Sequence, residues 1–260
     1  MRLKAYICDV LAREFYNWSA FSDHVIDIEL ISSVNHEYPK RIHKLLQEKI
    51  DALGGAEYPY DYILLGFGLC GNVLEGLESK DIPVVVPRAH DCITIHMGSK
   101  EAYENYFNSN TGTMYYVESW IERNGLKKER RELDSLGLGG TYEELIEKYG
   151  EENAEYLIGI ANGWKDSYKK ALYLDSDLTY KDFSQEVRLL AKERNWDFEQ
   201  MKSDHSLIKR MVFGDWGDDE FLVIPPDSMI QQSVDGKIVD FVCCNRQNCA
   251  VDEREQISSM

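Results

Sequence analysis

Long apolar runs are missing from this chain. A membrane-spanning helix needs roughly 20 consecutive apolar residues, and no stretch of the 260 residues approaches that. No membrane span is expected. Positive charge is also scarce: 29 Lys and Arg stand against 46 Asp and Glu, a formal net charge of -17. Such a surface repels phosphate backbones and anionic headgroups, so neither nucleic acid nor an anionic lipid surface is an expected partner. The paired Cys-x-x-Cys motifs of a zinc ribbon are lacking, and no sequence repeats at a fixed short period. The start, Met1-Arg-Leu-Lys-Ala-Tyr-Ile-Cys8, is basic and then apolar, but its apolar run is too short for a signal h-region. It reads as a first β-strand, and the expected location is cytoplasmic. In that compartment the six cysteines are expected to be reduced, which favours ligand or nucleophile roles over disulfides.

What is present suits a globular α/β protein. Hydrophobic residues make up 43% of the chain, enough to build a substantial core. Leu3 to Val10 reads as a strand, Leu11 to Phe21 as a helix and Val25 to Val34 as a half-buried alternating strand. Tyr38 to Leu53 places Ile42, Leu45, Leu46 and Ile50 on one helical face. Tyr62 to Phe67 and Pro83 to Val86 are continuous apolar runs of the kind buried in parallel sheets. Between them Asn72 to Ser79 leaves room for a short helix. Ser99 is placed to cap a helix from Lys100 to Phe107, and Met114 to Val117 reads as a fifth strand. Further on, the pattern predicts a helix over Tyr142 to Tyr149, a strand over Glu155 to Ile160 and another over Ala171 to Leu174. Helices follow over Phe183 to Arg194 and Met201 to Phe213, then a strand over Phe221 to Ile224 and a hairpin within Ser228 to Asp240. Strand–helix alternation predicts a mainly parallel, Rossmann-like sheet flanked by helices. The expected division is one α/β domain over 1–240, readable as related halves 1–124 and 125–240, and a cysteine-containing tail over 241–260.

Two strand ends concentrate the chemistry. Asp61-Tyr-Ile-Leu-Leu-Gly-Phe-Gly-Leu-Cys-Gly-Asn72 runs from an apolar strand into glycines and Cys70. Asp81-Ile-Pro-Val-Val-Val-Pro-Arg-Ala-His-Asp-Cys92 runs into Arg88, His90, Asp91 and Cys92. Parallel neighbours would bring both tips to the carboxyl edge, where open α/β sheets bind ligands. Cys8 ends the first strand and would face the same edge. Cys8, Cys70, His90 and Cys92 are therefore candidate metal ligands or a reactive-thiol group. Each taken alone reads more simply as a buried hydrophobe or a hydrogen-bonded loop residue. Gly66, Gly68, Gly71 and Asn72 would let backbone approach a substrate closely, and Arg88 would hold an acidic group or pair with Asp91. Gly66, Gly68 and Gly71 match dinucleotide-fingerprint spacing, but Cys70 intrudes and no acidic strand end follows, which argues against a nicotinamide or flavin. His36 and Asp91 are candidates to orient ligands or move a proton; for His36 an exposed loop residue is the alternative. His96 is a further candidate, or a helix-flanking residue. Cys243, Cys244 and Cys249 could complete a cluster, bind separately or be inert. Trp164 and Trp216 fall at expected loops and could wall a flat ligand, though such residues are more often core anchors.

Four segments together carry a family resemblance: Cys8-Asp-Val-Leu-Ala-Arg-Glu14, Leu65-Gly-Phe-Gly-Leu-Cys-Gly-Asn72, Pro87-Arg-Ala-His-Asp-Cys-Ile93 and Leu222-Val-Ile-Pro-Pro226. The chain resembles the domain-of-unknown-function 1638 family from roughly Leu3 to Ile230. Asp9 stands where that family more often has Glu, and the cysteine-rich tail looks like an addition. The resemblance implies anaerobic one-carbon metabolism, near corrinoid-dependent methyltransferases, without fixing a reaction. On that basis the expected function is a metal-binding enzyme, or enzyme component, in corrinoid-linked methyl transfer. Zinc on Cys8, Cys70, His90 and Cys92 would activate a substrate thiol. The competing expectations are an iron–sulfur or redox accessory protein, and a non-catalytic module that binds a corrinoid protein or small acid. The corrinoid would sit on a partner, because the carrier motif Asp-x-His-x-x-Gly is absent.

Overall fold

The computed structural model describes residues 1–33, 39–54, 59–126, 142–163, 167–217, 219–233 and 236–244. It divides into two units, Met1–Ile95 with His205–Met260, and His96–Asp204.

The first unit is built on a five-stranded sheet. Its middle is apolar and alternates little, as a strand covered on both faces must. β1 (Arg2–Cys8) pairs in parallel with β2 (Val25–Ile31) on one side and β3 (Tyr62–Gly66) on the other. β5 (Val84–Pro87) adds in parallel to β3, and β9 (Phe221–Ile224) closes the edge antiparallel to β5. The order is β2-β1-β3-β5-β9. Helix α1 (Ala12–Ser19) links β1 to β2, and α2 (Pro39–Asp51) links β2 to β3. Ile42, Leu46 and Ile50 are buried on α2 at the expected spacing, and Phe15 is fully buried on α1. Each such side chain contributes roughly 1.5–3 kcal/mol of hydrophobic stabilisation. β4 (Glu78–Ser79), β10 (Ser228–Gln232) and β11 (Val239–Cys243) form a small antiparallel sheet.

The link from β3 to β5 departs from expectation: Asn72 to Ser79 is not helical. Cys70, Gly71 and Asn72 have φ of 42°, 72° and 69°, three successive left-handed residues that no right-handed helix admits. The chain turns here and enters β4.

The second unit carries a separate parallel sheet, ordered β6 (Thr113–Val117), β7 (Lys170–Asp175) and β8 (Asp197–Lys202). Around it run α4 (Lys100–Ser109), α5 (Glu118–Asn124), α6 (Tyr142–Tyr149), α7 (Glu151–Gly163) and α8 (Ser184–Glu193). The Ser99 hydroxyl accepts the Ala102 N–H at 3.0 Å and caps α4 as expected. Val187 and Ala191 of α8 pack with Tyr116, Ile121, Tyr173 and Trp196.

Two further expectations are corrected. Glu155 to Ile160 is not a strand but the middle of α7; a short apolar run does not by itself distinguish strand from buried helix. Met201 to Phe213 is not one helix: β8 runs to Lys202, and α9 (Ser206–Phe213) begins after a break. The hairpin near the C-terminus is present as β10 and β11, and β11 extends to Cys243, so strand structure reaches into the segment expected as tail. The main sheets of the two units, β2-β1-β3-β5-β9 and β6-β7-β8, are mostly or wholly parallel and helices accompany them, as the sequence predicts, whereas the small β4-β10-β11 sheet is antiparallel.

Candidate functional site

In the first unit, Ile7 lies beside Gly66 in register, and Leu64 beside Val85. The last residues of β1, β3 and β5 therefore reach one carboxyl edge. Cys8 ends β1 and is buried, with 2% exposure. The β3 and β5 tips are laced together: the Leu69 N–H donates to the Ala89 carbonyl at 3.0 Å, and the Cys70 N–H to the His90 carbonyl at 3.1 Å. Gly68 makes this possible. A Cβ there would stand 2.5 Å from Asp91 Cα and 2.6 Å from its nitrogen. Gly66 likewise leaves space for Ile7 and Phe15. Gly71 and Asn72 are exposed at the tip.

The thiols of Cys8, Cys70 and Cys92 are close enough for charge on one to act on another. Burial, then the Asp91 carboxylate, pushes the Cys70 thiol up to about 11. Burial pushes Cys92 well above the ordinary thiol range, followed by charge on Cys70, Asp91 and Cys8 in that order. With a value near 11, only about one Cys70 in ten thousand is thiolate at neutral pH. At rest Cys70 and Cys92 are held as protonated, slow thiols.

This has a measurable consequence. An unfolded Cys70 releases its proton near its ordinary value of 9.0, whereas the folded residue holds it to about 11. The unfolded state therefore binds fewer protons across that interval. The thiol's contribution to stability is whole below pH 9, falls as pH rises towards 11, and then levels. Urea unfolding across that range should show wild type losing on the order of 1–3 kcal/mol relative to Cys70→Ser. Parallel curves for the two proteins would show that the thiol is not buried.

Other expected site residues have different employment. The Arg88 guanidinium donates to the Lys237 carbonyl at 2.8 Å and to the Val239 carbonyl, which fastens β5 to β11. Asp91 Oδ1 accepts the Thr94 N–H at 3.1 Å and its hydroxyl at 3.3 Å, at the start of the short helix α3 (Cys92–His96). His90 is exposed. His96 is fully buried at the end of α3. Trp216 stacks edge-on at 4.8 Å against Tyr62, the first residue of β3, so it sits away from the tip as a packing residue. His36, Trp164 and Cys249 lie outside the described residues.

Cys243 and Cys244 do not join the edge. Cys243 is disulfide-bonded, contrary to the expectation that all six cysteines are reduced. Cys244 is an exposed free thiol just past the end of β11, 3.6 Å from Glu78 Oε2. A cavity of about 240 Å³ between Ile50, Asp51, Ser79 and Ile82 precedes β5 and holds none of the candidate residues. Glu14 received no role from the sequence, yet it is fully buried on α1. The available signal was its place in the segment that begins at Cys8.

A family model matches residues 30–212, a span that includes both the Leu65–Asn72 and the Pro87–Ile93 tips. The chain belongs to the family described as protein of unknown function (DUF1638). That family match takes in the whole second unit but, of the five-stranded sheet, only β3, β5 and the end of β2, while the Cys8–Glu14 and Leu222–Pro226 segments lie outside it. No curated protein and no solved structure matches the chain. Among the described residues no helix is long and apolar enough to cross a membrane.

Proposed function

We propose that this protein is a thiol-centred component of corrinoid-linked methyl transfer, with Cys70 and Cys92, backed by Cys8, at the carboxyl edge of the five-stranded sheet. The supporting observation is that three adjacent parallel strands each bring one cysteine to the same edge, outside any disulfide and close enough for charge on Cys70 or Cys8 to act on Cys92. The link to one-carbon chemistry comes from the family resemblance.

A thiol of raised pKa is a strong nucleophile once its proton is gone, since sulfur nucleophilicity rises with basicity. The transfer would form a bond from the Cys70 sulfur to the methyl carbon. The carbon's bond to its donor would break, its electron pair would leave with the donor, and the thiol proton would pass to solvent. Asp91 places negative potential beside Cys70, so a donor carrying positive charge is favoured at this edge over an anionic one.

The expected zinc or iron–sulfur site fits less well. His90 is exposed, and among the described residues no three His, Cys, Asp or Glu side chains are grouped to hold an ion. No step is therefore routed through a metal.

The test is methyl labelling of anaerobically reduced protein by methylcobalamin, read by peptide mass spectrometry, with metal content measured on the same sample. A methyl group on Cys70 that is lost in Cys70→Ser is the expected result. Labelling of exposed Cys244 alone would overturn the proposal. Near-stoichiometric zinc with unlabelled thiols would replace it with a metal site.

A further inference from the structure

The β3 and β5 tips meet more closely than adjacent strand ends require. Two backbone hydrogen bonds cross between them, at Leu69–Ala89 and Cys70–His90. Backbone of residue 68 lies against backbone of residue 91, where no Cβ would fit. Beside these contacts stand two cysteines outside any disulfide, each intermediate in residue exposure though its thiol is largely buried, Cys70 on one tip and Cys92 on the other. Of the charges that reach the Cys92 thiol, that of Cys70 acts most strongly and that of Cys8 least. Cys8 is buried at the end of β1. The laced tips and the order of these charges single out one pair among the three thiols; a disulfide between them needs Cα atoms within roughly 4.4–6.8 Å and Cβ atoms that face each other at about 3.5–4.5 Å.

We infer that Cys70 and Cys92 form a redox dithiol that reduces small disulfides and closes to a Cys70–Cys92 disulfide. This rests on the thiol edge proposed above and adds its regulation. Cys70 is the attacking residue, because its turn is open to solvent at Gly71 and Asn72. Its sulfur, giving up its proton, attacks one sulfur of a disulfide R–S–S–R. The S–S bond breaks, and the first thiolate leaves and takes a proton. Cys92 then attacks the Cys70 sulfur of the mixed disulfide, forming the Cys70–Cys92 bond and expelling the second thiolate. Two protein thiols are oxidised and one disulfide becomes two thiols, so atoms and electrons balance without another oxidant. Closure ties up the Cys70 sulfur that would accept the methyl group, so the oxidised protein is switched off.

The experiment equilibrates the reduced full-length chain with graded ratios of oxidised to reduced glutathione, followed by acid quench, alkylation and peptide mapping. The expected result is a Cys70–Cys92 linked peptide that appears with one midpoint, while Cys92→Ser traps glutathione on Cys70. Exposed Cys244 reports that glutathione reaches free thiols under the same conditions. A linkage through Cys8, or glutathione that accumulates on wild-type Cys70 without closure, would overturn the pairing. No oxidation at either tip while Cys244 reacts would overturn the inference altogether. Methyl labelling is scored separately on fully reduced protein. An edge that methylates but never closes would sink only the redox step; closure without methylation would sink only the transfer proposal.

Discussion

Replacing Gly68 by alanine should cost the first unit about 3 kcal/mol or more, at the upper end of what overpacking does. The added Cβ would stand 2.5, 2.6 and 2.8 Å from the Cα, nitrogen and carbonyl carbon of Asp91. These are backbone atoms, so no rotamer change relieves the clash. The tips must separate, and the Cys70–His90 hydrogen bond stretches with them. Gly66→Ala is the natural comparison. Its Cβ would also come within 2.5 Å of a neighbour, but that neighbour is the Ile7 Cδ1 methyl, with the Phe15 ring at 3.0 Å. Side-chain ends can shift, so about 1–2 kcal/mol is expected there. Urea unfolding of both variants, followed at constant slope, measures the difference. A Gly68→Ala protein within about 0.5 kcal/mol of wild type would show that the tips do not touch. It would remove the structural basis for a Cys70–Cys92 bond.

Local pattern foretold local structure well. The helical faces of Ile42, Leu46 and Ile50 and of Val187 and Ala191 were readable from spacing, as was the Ser99 cap. The failures have identifiable causes. Asn72 to Ser79 contains ordinary helix formers, but the left-handed run at Cys70, Gly71 and Asn72 precedes it. Nothing in the composition reveals that Cys and Asn will take those angles. Tyr62 to Phe67 and Ala171 to Leu174 look alike as buried strands, yet β3 and β7 belong to different sheets. Strand pairing is a long-range choice, and periodicity carries no record of the partner.

The same division governs the site. That Cys70 and Cys92 approach each other followed from two apolar strands expected to be parallel neighbours, and they are. The roles of the polar residues did not follow. Arg88 is held by carbonyls 149 and 151 positions away, a distance at which no motif operates. Asp91 has a nearer alternative, and it was available in advance: Asp followed three residues later by Thr at the start of a short helix is a capping arrangement. The charge on Asp91 still acts on both tip thiols, so the cap and the thiol environment are set by one side chain.

The second unit offers a test of equal size. Glu118, which opens α5 at the end of β6, is 3% exposed. Its Oε2 accepts the Ser176 N–H at 3.0 Å and the Ser176 hydroxyl at 2.6 Å, and its Oε1 accepts the Tyr173 hydroxyl at 3.2 Å. Burial, with Glu118 assisting, pushes the Tyr173 phenol upward, which keeps it a donor. Tyr173 in turn accepts the Phe183 N–H at 3.1 Å, just before α8. One carboxylate thus ties β6, β7 and the entry to α8. Glu118→Ala strands buried donors at about 1–3 kcal/mol each, so a loss of about 3–5 kcal/mol is expected. Glu118→Gln should recover only part of it. An amide offers one acceptor oxygen where two are used, and its NH₂ would face a donor. The Ser176 hydroxyl has little freedom to adapt, because it already accepts the Leu178 N–H at 3.3 Å. Hydrogen exchange should locate the damage in the amides of β6, β7 and the first turn of α8. Protection in those strands unchanged by Glu118→Ala would mean that the carboxylate is not what joins them.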